Sequence, residues 1–286
     1  MPSAAAHEGS AALASAPRAR VTIGRVVLNG AAAFALFFIL LPLLLVTWLA
    51  FFRQEIPSFP PEGYSLRWFA AILDQPKFVE GFRMSFQVGV LATTIGLALG
   101  VPAALAVVRH QFRLRVPLSN LLLMPLIVPG VVLGTSMYVF QVEAENGLDV
   151  DVLGTFYALV AGHSVIVIPW VVRLVTASLA GVDRSIEEAA QNLGANALVT
   201  FWRITLPAIR PGIVAGALFG FVTSFGNLEM SLFLVGAGRT TLPIVILQYL
   251  EWKIDPTIAA VSVVQILLIA IVMLITDRYV KLARVV

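Results

Sequence analysis

The chain has 286 residues, of which 59% are hydrophobic and only 12% are charged, and its mean hydropathy is +0.93. A soluble globule of this composition would expose more apolar surface than one core can cover, so the chain is predicted to lie in a lipid bilayer. Because the sequence contains no cysteine, disulfide frameworks, thiolate zinc sites and thiol nucleophiles are excluded.

Charge and histidine content argue against two further kinds of site. The net charge is +3, but the basic residues flank apolar segments and form no stripe with interleaved aromatics, so we expect no nucleic-acid partner. The three histidines, His7, His110 and His163, lack the spacing of metal ligands, and no metal site is expected. His163 lies in an apolar run and is predicted to be a hydrogen-bonded helix residue.

Six apolar runs are long enough to cross about 30 Å of hydrocarbon, which takes about 20 residues. The runs lie roughly at 26–52, 82–108, 117–141, 153–179, 213–235 and 257–277. The fold class is therefore predicted to be an all-α membrane protein with six transmembrane helices. Four prolines inside the runs indicate kinked helices around a cavity; they are Pro102, Pro125, Pro129 and Pro169.

Residues 1–25 are predicted to be a disordered cytoplasmic tail, and residues 26–286 a single six-helix domain. The first apolar run is too long for a signal-peptide core and is expected to remain as an uncleaved span. With the N-terminus in the cytoplasm, twelve basic residues fall on the inner side and six on the outer side. This distribution satisfies the positive-inside rule with both termini in the cytoplasm. Arg173, inside the fourth run, is interpreted as an anchor that snorkels to the cytoplasmic surface.

Two short helices are predicted outside the spans. Ser65–Leu73 spaces its large apolar residues at i, i+1, i+4 and i+5, which is typical of a helix lying in the membrane interface. On the cytoplasmic side, Ser185 followed by Glu188 predicts a capping box that begins a helix. Gly194 is expected to end that helix in the left-handed conformation.

A second cytoplasmic helix is predicted from Ala195 to about Leu206. Pro207 and Pro211 are then expected to break the chain before the fifth span begins. The polar segment at about 183–211 would thus be a helix-turn-helix presented to a soluble partner.

The spacing of the residues in this segment resembles the EAA signature of the permeases of binding-protein-dependent ABC importers. The matching residues are Glu188, Ala189, Ala190, Gly194, Ile204, Leu206 and Pro207. The resemblance implies a type I (MetI-like) permease, in which the segment is a coupling helix that docks into a groove on a cytoplasmic ATPase subunit. Ser65–Phe69 and the stretch from Leu242 to Ala260 resemble the spermidine/putrescine-type branch.

Two features of the segment fit such docking. Small side chains at Ala189 and Ala190 let a partner surface approach closely. Glu187 and Glu188, at the start of the helix, favour its positive end and can meet basic residues of the partner.

The resemblance also implies the partners of the chain. These are two cytoplasmic ATPase subunits that bind ATP and Mg, a second homologous permease and an extracytoplasmic solute-binding protein, assembled in the bacterial inner membrane. None of the three lysines lies in a G-x-x-x-x-G-K loop, and the sequence shows no catalytic constellation, so the chain is expected to be neither an enzyme nor a cofactor protein. It would import a small organic solute by alternating access.

Polar residues of the fifth run are the candidates for the solute path, because an ionised group at bilayer depth costs about 2.5 to 3.5 kcal/mol. They are Ser224, Asn227 and Glu229. Glu229 either contacts solute, or forms a buried ion pair or snorkels to the outer interface, and the sequence leaves these alternatives open. A secondary transporter would carry its coupling in intramembrane charged pairs, for which only Glu229 and Arg173 qualify.

The sequence also leaves the solute open. Polyamine permeases of the branch commonly carry an acidic pair where this chain has Gly226-Asn227. Polyamines, amino-acid-like zwitterions, aminophosphonates, metal chelates and oxyanions all remain candidates.

Overall fold

The computed structural model describes residues 23–280, with side chains for 24–278. The described residues contain helices and two isolated bridges but no strand, which confirms the predicted all-α class. The helices are α1 (Ile23–Leu49), α2 (Arg67–Leu73), α3 (Pro76–Arg109), α4 (Arg115–Leu123), α5 (Gly130–Leu148), α6 (Phe156–Ala180), α7 (Arg184–Asn192), α8 (Ala197–Thr200), α9 (Leu206–Phe225), α10 (Glu229–Leu234), α11 (Leu242–Trp252) and α12 (Thr257–Val280).

The described chain divides into two units, one ending at Leu45 and the other beginning at Val46. In the first unit, helix α1 is apolar and exposes most of its large side chains, as Val26, Phe37 and Ile39 do. Residues 1–22 of the predicted tail lie outside the described residues. Residues 23–25, which the prediction also assigned to the tail, already belong to α1.

Five described helices are long and apolar enough to cross a membrane, and counting one bent pair of helices as a single span makes six. The predicted third span is not continuous, because α4 and a 3-10 turn (Met124–Leu126) meet α5 at an angle of 108°. Pro125 lies in the turn and Pro129 precedes α5. Each proline lacks a backbone N–H and clashes with the preceding turn, which favours a kink or break at these positions.

The predicted fifth span differs at both of its ends. Its helix begins at Ala197 instead of residue 213, and it ends at Phe225. Residues 226–228 break the chain, and α10 follows. The break forms because the Asn227 side chain accepts the Met230 N–H at 2.7 Å, so this side chain replaces the helical carbonyl as partner.

The core of the second unit is centred on α6, which packs against both α3 and α9. Val167 and Val171 of α6 are completely buried between glycines of its two neighbours. A Cβ at Gly96 of α3 or Gly220 of α9 would lie 2.5 or 2.7 Å from Val167 Cγ1. Glycine at these positions lets the helix backbones approach closely, as membrane helices do where little else drives them together.

The predicted short helix before the second span is confirmed as α2. Its Trp68 is buried and donates its indole N–H to the Phe52 carbonyl at 2.6 Å. Trp68 also packs in one apolar cluster with Ala260 and Val263 of α12.

A hydrogen-bonded carboxylate joins α11 to α12. Asp255 accepts the Tyr249 hydroxyl and the Thr257 N–H, both at 2.9 Å. Lys253 pairs with the same carboxylate at 2.9 Å. Burial raises the pKa of Asp255, but these hydrogen bonds outweigh burial and hold it below its usual value. The bond to Asp255 raises the pKa of Lys253.

Candidate coupling segment and solute-path residues

Helix α7 is capped by a different residue from the one predicted. The Asp183 carboxylate accepts the Ser185 N–H at 2.9 Å, and this backbone bond lowers the pKa of Asp183. The predicted capping box is therefore wrong, because Ser185 already lies inside the first turn. Glu188 instead pairs with Arg184 one turn earlier, Nε to Oε1 at 3.2 Å, with both side chains exposed.

Gly194 ends α7 in the predicted left-handed conformation, with φ +92°. Its N–H donates to the Gln191 carbonyl at 2.9 Å, and the Ala195 N–H donates to the Ala190 carbonyl at 3.0 Å. These two bonds define a Schellman motif, which satisfies helix-end carbonyls and turns the chain sharply.

The predicted break at the two prolines is wrong. From Ala197 the helix continues through Pro207 and Pro211 to Phe225. A π-helical turn (Phe201–Thr205) directly precedes Pro207, and the Leu206 N–H donates to the carbonyl of Phe201, five residues earlier. The wider turn changes the hydrogen-bond pattern just where proline supplies no N–H, so the helix continues.

Glu187 points into the protein, although it is adjacent to the exposed Glu188. Its Oε1 accepts from Arg109 Nη2 at 3.2 Å and from Thr205 Oγ1 at 2.9 Å. Arg109 Nη2 also donates to the Val182 carbonyl at 3.3 Å. The side chains of Arg109 and Glu187 are only 15% and 12% exposed. One carboxylate thus ties the end of α3 to α7 and to the π turn.

The exposed part of the segment carries apolar, acidic and basic side chains. Its large apolar members are Ile186, Leu193, Leu198 and Trp202, and Glu188, Ala189 and Pro207 are also exposed. We call these seven residues the docking surface. Three other residues of the signature are half-buried: Ala190, Ile204 and Leu206. Several exposed apolar side chains in one short segment are a feature of protein interaction sites.

Ser224, the first solute-path candidate, is buried and bonded within the protein. Its Oγ lies 2.8 Å from His163 Nδ1, and His163 Nε2 lies 3.2 Å from Ser231 Oγ. Ser231 Oγ donates to the Asn227 carbonyl. It must therefore accept from Nε2–H, so in the neutral ring Nδ1 accepts the Ser224 hydroxyl. This network joins α6, α9 and α10 and confirms the prediction for His163.

Asn227 and Glu229, the other two candidates, lie at the break after α9. Asn227 is half-buried, whereas Glu229 begins α10 and is exposed. The Glu229 carboxylate lies against Gly130, so close that a Cβ added to Gly130 would collide with the carboxylate. Gly130 begins the second half of the bent span, whose helix N-terminus favours a negative charge. Among the described residues, Glu229 forms no ion pair, so the ion-pair alternative is not supported.

Arg173 is exposed in α6, about two turns before the helix ends at Ala180. The described residues contain no group of three side chains suited to hold a metal ion.

Two features of the site were missed from the sequence. The Arg109–Glu187 pair joins residues 78 positions apart, and the partners of His163 lie 61 and 68 positions away. No local pattern signals contacts at such distances along the chain. The only available indication was an arginine and a histidine placed in or beside apolar runs.

Comparison with known proteins gives consistent results. Residues 96–285 match the family described as binding-protein-dependent transport system inner membrane component. The putrescine transport system permease protein PotI of Escherichia coli (strain K12) is 30% identical over 201 residues, covering 70% of this chain and 72% of PotI.

The molybdenum transport system permease protein ModB of Mycobacterium bovis is 30% identical over 216 residues, covering 72% of this chain and 81% of ModB. A solved bacterial ABC transporter involved in alginate import has a chain of the same fold. Its TM-score is 0.65 at 16% identity, and the match covers 90% of this chain and 96% of that one.

Proposed function

The chain belongs to the inner membrane components of binding-protein-dependent transport systems, and we propose that it imports a polyamine or a related cationic or zwitterionic solute. It is a multi-pass permease subunit of an ABC importer, and ATP is hydrolysed by separate ATPase subunits. The identity of the solute, the docking site and the arrangement of the complex are the proposed parts.

The docking surface is the proposed contact with the ATPase. A short helix ended by a Schellman motif presents apolar side chains beside Glu188 and Ala189. Two ATPase subunits would bind ATP and Mg and engage this chain and a second homologous permease. A solute-binding protein would deliver the solute on the opposite face, and both termini would lie in the cytoplasm, as the basic residues indicate. Closure of the ATPase pair would then drive alternating access.

The observation that carries the solute proposal is the exposed carboxylate of Glu229 at the break between α9 and α10, in a chain related to a putrescine permease. Broken helices line the solute sites of many transporters because irregular backbone at membrane depth must face a cavity or protein. One carboxylate attracts a cationic group. A single charge suits a monocation or zwitterion as well as a polyamine.

An oxyanion is the second candidate, because the molybdenum permease is related to the chain at the same identity. The N-terminus of α5 is a position where an anion is favoured. However, the Glu229 carboxylate already lies against Gly130 there, and it would repel an incoming anion. The geometry therefore favours a cation.

Uptake by the reconstituted complex tests the proposal. Proteoliposomes holding the permease pair, the ATPase and the binding protein should accumulate radiolabelled putrescine with ATP, and not molybdate. Glu229→Gln keeps the shape of the side chain but removes its charge, so putrescine uptake should fall at least fivefold while the ATPase stays bound. Glu62→Gln, at an exposed carboxylate of the segment before α2, is the matched control. Molybdate uptake without putrescine uptake would select the oxyanion instead.

A further inference from the structure

The end of helix α3 is bonded to the coupling segment through a largely buried carboxylate. Glu187 of α7 accepts bonds from Arg109, the last residue of α3, and from Thr205 of the π turn. These three residues are far apart in sequence, so the carboxylate joins elements that the chain itself does not connect directly. We propose that the Arg109–Glu187 pair transmits movement of the docked α7 to the membrane-spanning helix α3.

Burial makes this pair a mechanical connection. Both side chains are nearly enclosed, and removing one partner from a buried pair leaves an uncompensated charge. Separating α7 from the end of α3 would leave two largely buried charges without their partner, so the pair opposes that separation. The neighbouring Arg184–Glu188 pair differs in its exposure and in the elements that it joins. Its side chains are 62% and 60% exposed and belong to one helix, so it connects nothing and contributes little.

Movement applied at Arg109 would reach the rest of the bundle. Helix α3 is continuous over 34 residues, which corresponds to about 50 Å at 1.5 Å per residue. Its glycines contact Val167 and Val171 of α6 so closely that added Cβ atoms would lie 2.5 and 2.8 Å from their methyl groups. Interfaces packed this tightly transmit displacement instead of absorbing it.

The pair also has room to rearrange. Arg109 Nε is buried and has no hydrogen-bond partner, which is costly for a donor. A cleft of about 320 Å³, lined by Arg109, Glu187, Gln191 and Thr200 among others, adjoins it. A shift of α7 within this cleft would change the partners of the guanidinium.

The inference rests on the proposed docking of α7, and its test measures two quantities in the full reconstituted complex. These are ATP hydrolysis and ATP-driven uptake of radiolabelled putrescine. Glu187→Gln and Arg109→Gln should leave the ATPase bound and hydrolysis within twofold, while uptake per ATP falls at least tenfold. A purely structural role would lower the yield of complex but leave that ratio unchanged.

Three further variants keep the test decisive. The charge swap Arg109→Glu with Glu187→Arg should restore at least a third of the uptake per ATP. Thr205→Val removes only the hydroxyl that donates to the Glu187 carboxylate and leaves both charges in place, so it should lower the ratio two- to fivefold. This variant tests the link if the charge variants do not assemble. Arg184→Gln is the matched control and should keep the ratio within twofold.

Two outcomes would overturn the inference, and both differ from a failure of the proposed function. Loss of the ATPase from Glu187→Gln would mean that Glu187 contacts the partner directly. An unchanged ratio in Arg109→Gln and Thr205→Val would mean that the pair transmits nothing. The docking proposal itself fails only if Trp202→Ala and Leu193→Ala, on the docking surface, leave ATPase binding intact.

Discussion

Replacing Gly194 with valine tests the turn that ends α7, the helix proposed to dock on the ATPase. The residue has φ +92°, a conformation that side chains other than glycine rarely adopt. A Cβ added at Gly194 meets nothing within 4 Å, so the penalty is entirely one of backbone conformation. We expect Gly194→Val to weaken the turn without disturbing the packing around it.

The extent to which the turn is weakened follows from its two hydrogen bonds. Each contributes about 1 kcal/mol net, so the motif is stabilised by about 2 kcal/mol and is formed nearly all the time. Left-handed strain costs about 1 to 3 kcal/mol, with the upper part of the range for a β-branched residue. At 2 to 3 kcal/mol of strain the turn would be formed between about half and a sixth of the time, since 1.4 kcal/mol is tenfold.

Transport should follow that population. Putrescine uptake by proteoliposomes with the Gly194→Val permease should fall about two- to sixfold, at normal levels of the permease in the membrane. Asparagine tolerates the left-handed region, so Gly194→Asn should retain about four-fifths of the uptake, corresponding to about 1 kcal/mol of strain.

Gly238 supplies a control with the same kind of strain in a different place. Its φ is +69°, and an added Cβ there also meets nothing within 4 Å. Gly238→Val should impose the same left-handed backbone strain as Gly194→Val and lower the Tm, but it should leave uptake unchanged. Normal uptake in Gly194→Val, or an equal loss in Gly238→Val, would show that the turn at Gly194 has no special role in coupling.

Two predictions concern stability. Gly212→Ala would place a Cβ 2.7 Å from the Leu174 carbonyl oxygen, so it should destabilise the bundle by about 1 to 3 kcal/mol. Differential scanning of the purified chain should show a lower Tm, whereas Gly147→Ala, with open space around it, should not. The Asp255–Lys253 link combines a lowered and a raised pKa, so its stabilisation should be present between about pH 4 and pH 10 and lost outside that range. Asp255→Asn should remove that part of the pH dependence of Tm, and an unchanged acid limb would contradict the assignment.

The spans were predictable because hydrophobicity alone determines where a chain can cross a bilayer. The breaks were harder to predict. Residues 226–228 and Pro129 lie within runs that remain apolar on both sides, so composition does not change where the helix stops. Asn227 was the available signal, since its side chain competes with helical hydrogen bonding. The sequence instead suggested it as a solute contact.

Two local predictions in the coupling segment failed for different reasons. The serine and glutamate spacing of a capping box was present, but Asp183 lies two residues earlier and caps the helix first. Pro207 and Pro211 would break a helix in water. Here a π turn precedes them and the helix continues to Phe225, as proline-containing helices do in membranes. Gly194 was predicted correctly because only glycine reaches its φ without strain.

Adjacent glutamates illustrate why sequence spacing alone cannot assign roles in this segment. Glu187 and Glu188 differ by about 100° around α7, which turns one carboxylate towards Arg109 and leaves the other at the surface. Of the two, Glu188 is the exposed carboxylate, whereas Glu187 is bonded to the end of α3. If docking and transmission are divided in this way, reversing the charge of Glu188 should weaken ATPase binding, and reversing that of Glu187 should preserve binding while uncoupling hydrolysis from uptake. Identical effects of the two reversals would show that both residues act on the same surface.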